Sequence, residues 1–119
     1  MPIKEAIRPL LEQLLEIQRA AFELREHETA FHALSAAAHA ADSLEDMEML
    51  DRIARLSRDE LAWLDAHDPR HRLSTESANS RHHHSVFEQL GVTATNMRKR
   101  LHAERVRQES ARAAGDFHG

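Results

Sequence analysis

The side chains that could do chemistry in this chain are histidines and carboxylates. It holds 10 His, 20 Asp or Glu and no Cys. Glu28, His32, Ser35 and His39 follow at steps of four, three and four. On a helix that spacing places them on one face. A carboxylate and two imidazoles inside a bundle form a ligand set for zinc or iron. Glu28, His32 and His39 are therefore the candidate metal ligands. The Glu-x-x-His pair of di-iron bundles occurs nowhere, and His-x-x-x-Glu occurs only at His84 and Glu88. His82, His83 and His84 would point in different directions on a helix and read as a loop. The expectation is a chain without a cofactor.

The second candidate is basic. Ser85 to His102 reads SVFEQLGVTATNMRKRLH. A short helix, a Gly, then a helix with Arg98, Lys99 and Arg100 resembles the helix-turn-helix of small bacterial DNA-binding proteins of the inversion-stimulation type. There the Gly permits the turn and the second helix enters the major groove. Phe87 departs from that pattern, which wants a small residue where the helices touch. The alternative is a helix running straight through Gly91, at a cost of about 1 kcal/mol. The stripe Phe87, Leu90, Ala94, Met97, Leu101 keeps its phase across Gly91, as such a helix requires. Arg98, Lys99 and Arg100 are then solvent-facing charges.

Other chemistry finds less support. FHALSAAAHA around His32 faintly resembles a histidine phosphotransfer motif, but Ser35 and Ala36 replace its basic residue and Gly. Acid pairs such as Glu26 with Glu28, or Asp59 with Glu60, read as surface charges. No Gly-rich phosphate loop or nucleophile elbow is present. The chain is not expected to be an enzyme.

The elements that must position these residues are helices. Ile3, Ile7, Leu10, Leu14, Ile17, Ala21 and Leu24 alternate steps of four and three, a coiled-coil-like packing seam. The pattern continues more weakly through Glu28, Phe31, Ser35 and Ala38, predicting one helix over 3–41, about 58 Å long. Pro9 should bend or fray its start. Ser43 followed by Asp46 reads as an N-cap opening a second helix over 43–66. Its seam is Met47, Leu50, Ala54, Ser57, Leu61 and Leu64. From His67 to Ser80 turn residues dominate, and a mobile loop is expected. A third helix should run over 78–113, followed by a disordered tail, 114–119. The fold expected is all-α: one domain over 1–113, an elongated antiparallel three-helix bundle, formed by a helical hairpin and a long C-terminal helix.

Composition agrees. Leu, Ile, Val and Phe number 25 of 119 residues, so the core should be thin. No apolar run approaches the roughly 20 residues of a membrane span. The N-terminus carries Lys4, Glu5 and Glu12, so a secretory signal is not expected there. The absence of Cys suits a reducing cytoplasm. Residues 1–80 hold 9 Lys or Arg against 16 Asp or Glu, a net of −7; residues 81–119 hold 7 against 4, a net of +3. The halves attract each other, or the basic end meets an acidic partner or nucleic acid.

LLEQLLEIQRAAFELREHETAFHAL is similar to the long first helix of flagellar export chaperones that serve hook–filament junction proteins. ANSRHHHSVFEQLGVTATNMRKRL resembles their last helix, and the ending GDFHG their flexible end. The histidine triplet and the loop with Pro69 depart from that family. The resemblance implies capture of an amphipathic segment of an export substrate in the cytoplasm, through Phe87, Leu90, Ala94, Met97 and Leu101. The leading expectation is thus a non-enzymatic helical interaction protein that meets a protein partner, or its own copy, through helical faces. The alternative is a DNA-binding protein using Arg98, Lys99 and Arg100.

Overall fold

A computed structural model describes residues 3–117. They form α1 (Ile3–Glu23), α2 (His27–Ser43), α3 (Met47–His67), a short α4 (Thr75–Ser80) and α5 (Val86–Phe117). The fold is all-α, and no strand occurs among the described residues. The expected long first helix is two helices, so the bundle has four long members rather than three.

The break lies at Leu24–Arg25–Glu26, and its cause is a backbone motif. Arg25 adopts a left-handed conformation, φ 61°. Its N–H donates to Phe22 O at 3.0 Å, and the Glu26 N–H donates to Ala21 O at 2.8 Å. That pair of bonds is a Schellman C-cap, which satisfies carbonyls the helix end leaves unpaired. The same device closes α2, with Glu45 at φ 55°, and α4, with His82 at φ 59°. The first two connections repeat a pattern: Leu24, Arg25, Glu26, His27, Glu28 match Leu44, Glu45, Asp46, Met47, Glu48. Gly usually fills the left-handed position, because a side chain there costs about 1–2 kcal/mol.

Two three-residue connections make α2 antiparallel to both α1 and α3. Ala30, Ala33, Ala37, Ala38, Ala40 and Ala41 are all buried, so α2 lets its neighbours approach closely. α3 opens at Met47, four residues later than expected. Its N-cap is Asp46, which accepts from the Met49 N–H at 3.0 Å and from Arg8 at 2.7 Å. Burial pushes the Asp46 carboxyl up, but those two bonds outweigh it and hold it below the usual carboxylate range. Helix α3 then runs unbroken through Ser57, whose hydroxyl donates to Phe87 O at the start of α5.

The segment between α3 and α5 is pinned. Ser74 caps α4 by accepting from the Ser77 N–H at 3.1 Å, and its own hydroxyl donates to Pro69 O at 2.6 Å. Ser85 Oγ donates to Leu73 O at 2.6 Å, and Thr75 donates twice to Asp65. Helix α5 lies antiparallel to α3 and is continuous through Gly91. It stays helical over 114–117, where a disordered tail was expected; residues 118–119 lie outside the described residues. Beyond Leu101 it leaves the core, and most of its side chains are exposed.

The core runs along α2 and α3. Leu34, Leu50, Ile53 and Leu64 are fully buried there, joined by Leu11 from α1 and Phe87 from α5. Helix α1 packs chiefly on α2 and α5 chiefly on α3, giving a flat body of 63 × 34 × 18 Å. No helix among the described residues is long and apolar enough to cross a membrane.

Candidate functional site

The residues expected to meet a partner are already used inside the chain. Phe87, Leu90, Ala94 and Leu101 are buried, and Met97 packs against the same core. The stripe is the seam by which α5 covers α2 and α3, so it presents nothing to a partner.

The helix-turn-helix is not formed. Gly91 is helical, and no Gly in the described residues has positive φ. Arg98 is held by Asp51 of α3 at 2.9 Å, and Arg100 forks onto Asp42 of α2 at 2.7 and 2.8 Å. Two of the three cations thus tie α5 to its own bundle, which is the mutual attraction between acidic and basic halves. Lys99 remains exposed.

The metal set is not assembled either. Glu28 pairs with Arg72, while His32 and His39 are exposed. Among the described residues no three His, Asp or Glu side chains converge as a metal site.

What the fold leaves open is the outer side of α1. The sequence marks Ile3 to Leu24 as a packing seam. Instead Leu11, Gln18 and Ala21 are the buried positions of α1. Ile3 (79 % exposed), Leu10 (50 %), Ile17 (50 %) and Leu24 (75 %) face outward. They recur every seventh residue, so they form one stripe about 31 Å long that runs along α1 and ends at Leu24, the first residue past it. Ala6, Gln13 and Ala20, also exposed, fill the gaps, and none of the seven carries a charge. At about 100° per residue, Glu5, Glu16 and Glu23 line its outer margin.

The second open surface lies on the other flank of α1. Arg8 reaches Asp46, Gln18 reaches Glu60 and Phe22 meets Trp63 edge-on, so α1 and α3 run parallel. Between them is a groove of about 680 Å³, floored by Leu15, Phe22, Met49, Leu56 and Trp63. Glu12, Glu16 and Asp59 line it with Arg19 and Arg52.

Two polar residues interrupt that floor. Glu60 is only 3 % exposed. Gln18 Nε2 donates to its Oε1 at 3.3 Å, and its Oε2 has no hydrogen-bond partner among the described residues. Burial pushes the carboxyl up to about 7, with the Gln18 bond opposing. Glu60 was read as a surface charge beside Asp59. The signal that finds it is the stripe Ile53, Ser57, Glu60, Leu64, with polar residues at apolar steps. Gln18 likewise sits in phase with Leu11 and Leu14.

No family model, curated protein or solved structure matches this chain.

At the end of the groove is an aromatic corner. His27 is buried beside Phe22, stacks on Trp63 at 5.4 Å and meets His71 edge-on. Its Nδ1 has no partner among the described residues. Burial lowers its basicity, His71 and Arg25 lower it further, and Asp68 and Glu26 oppose them. Arg25 lies over Trp63 at 4.1 Å and His67 stacks on the same ring at 4.5 Å. The corner fastens the α1–α2 turn to α3.

Proposed function

We propose that this chain is a non-enzymatic helical interaction protein that takes a basic amphipathic helix of another protein along the outer side of α1. The observation that carries this is the uncharged stripe Ile3, Leu10, Ile17, Leu24, left exposed at heptad spacing along a helix whose Leu11, Gln18 and Ala21 pack into the bundle. An apolar seam of this period is what a second helix covers.

The margin chooses the occupant. Glu5, Glu16 and Glu23 favour a helix with Lys or Arg beside its apolar row. A second copy of α1 laid antiparallel would bring these acids against the same acids, and like charges discriminate against that pairing. Export chaperone activity in the cytoplasm is the particular form of this function that the family resemblance suggests, with the docking face moved from the last helix to the first.

Amide hydrogen exchange with a synthetic peptide, carrying a leucine seam and lysine margins over about three heptads, tests the reading. Added protection should concentrate in α1. Protection confined to α5, or none anywhere, would refute it.

A further inference from the structure

The groove between α1 and α3 has a feature that helix docking on the outer stripe does not use. Its floor is apolar, yet it is lined by the carboxyl group of Glu60, which packing leaves almost entirely buried. Among the described residues, Glu60 has one oxygen without a partner and another held by a single bond from Gln18, at the long end of the hydrogen-bond range. An unpaired buried acceptor costs free energy, and a docked donor recovers it. The groove also carries more acid than base: Glu12, Glu16, Asp59 and Glu60 against Arg19 and Arg52. Its volume, about 680 Å³, is in the range that holds a small organic molecule.

We propose that this groove is a binding site for an organic ammonium ion with an apolar body, which places its N–H groups on Glu60 and its hydrocarbon along Leu15, Leu56, Met49 and Phe22. The Gln18 amide is the stand-in for the ligand's ammonium. On binding it swings off Glu60 Oε1, and the ammonium takes both carboxylate oxygens. An ammonium and a carboxylate make short charge-assisted hydrogen bonds of about 2.7–2.9 Å, whereas the amide bond they replace is 3.3 Å long. Trp63 contributes its edge only, since Arg25 and His67 already stack against its ring. No covalent step is involved. This site is independent of the helix-docking reading.

Trp63 is the only Trp and the chain has no Tyr, so its emission reports on the groove directly. The probes are n-octylamine and its uncharged analogue n-octanol, titrated at pH 8. Octylamine should shift Trp63 emission saturably and bind at least about tenfold tighter than octanol, a difference of about 1.4 kcal/mol. In Glu60→Gln that preference should vanish while octanol binding persists. Gln18→Ala removes the internal donor and should tighten octylamine several-fold. Equal affinity for the two probes, a preference that survives Glu60→Gln, no saturable shift, or octylamine affinity unmoved by Gln18→Ala would each overturn the proposal. Circular dichroism of both variants confirms the fold in which the binding is read.

Discussion

Gln18 and Glu60 join α1 to α3 by one hydrogen bond of 3.3 Å, across a contact that is otherwise mostly open groove. The sign of its pH dependence follows from Glu60. Its folded-state pKa, about 7, is raised above the ordinary Glu value of 4.5. Below that lower value both folded and unfolded states are protonated and the stability is fully present. As the pH rises, the unfolded chain ionises first, and stability falls until the folded carboxyl ionises too. Urea unfolding should therefore show a loss on the order of a few kcal/mol from Glu60 between about pH 4.5 and 7. Glu60→Gln should remove that loss and be the more stable protein at pH 8. A native chain as stable at pH 8 as at pH 5, matched by an unchanged slope in the variant, would contradict this. His27 works in the opposite sense: its lowered pKa contributes stability above the ordinary His value of 6.5, lost as the pH falls through the folded value. The acid limb should therefore persist in Glu60→Gln.

Gly91 is an ordinary helical position with room for a methyl group. A Cβ there would meet Ala54 O and Arg58 Cγ, both at 3.8 Å, which is normal contact. Gly91→Ala should stabilise the chain by about 0.5–1 kcal/mol, because it removes backbone freedom from the unfolded state and adds no clash. Thermal unfolding reads this directly. A destabilised variant would mean that the backbone at Gly91 bends.

The all-α class, the course of α3 and the continuity of α5 were legible because apolar residues keep step over many turns. The Phe87–Leu101 stripe was also read correctly as a stripe; only its occupant was misread, since periodicity shows that a face is covered and not by what. The α1–α2 break was hidden because Arg25 holds the left-handed position where Gly would have announced a helix end. Glu60 was hidden because a charged residue beside Asp59 looks solvated until the fold turns α3. The outer stripe of α1 was present in the seam, but one helix of a flat bundle can bury only part of so wide an apolar arc.

Glu45 holds the left-handed residue of the α2–α3 turn, is exposed, and makes only a surface ion pair with Lys4 at 3.5 Å. Such pairs contribute little. Glu45→Gly should thus be neutral or stabilising by up to about 1 kcal/mol, whereas Glu45→Val should destabilise by more than about 1 kcal/mol, since a β-branched residue resists positive φ. Equal melting temperatures for the two variants would mean that the turn does not form as described.

The docking face of α1 is tested most directly by the affinity of the leucine-seam peptide with lysine margins, measured by fluorescence anisotropy against the native chain and Leu10→Glu/Ile17→Glu. Both side chains are half exposed, so the double variant should melt close to the native temperature. The account predicts that it loses at least about tenfold in affinity, and that a twin peptide with glutamate margins binds the native chain at least about tenfold more weakly. Undiminished binding to the double variant, or equal binding of the two peptides, would contradict it.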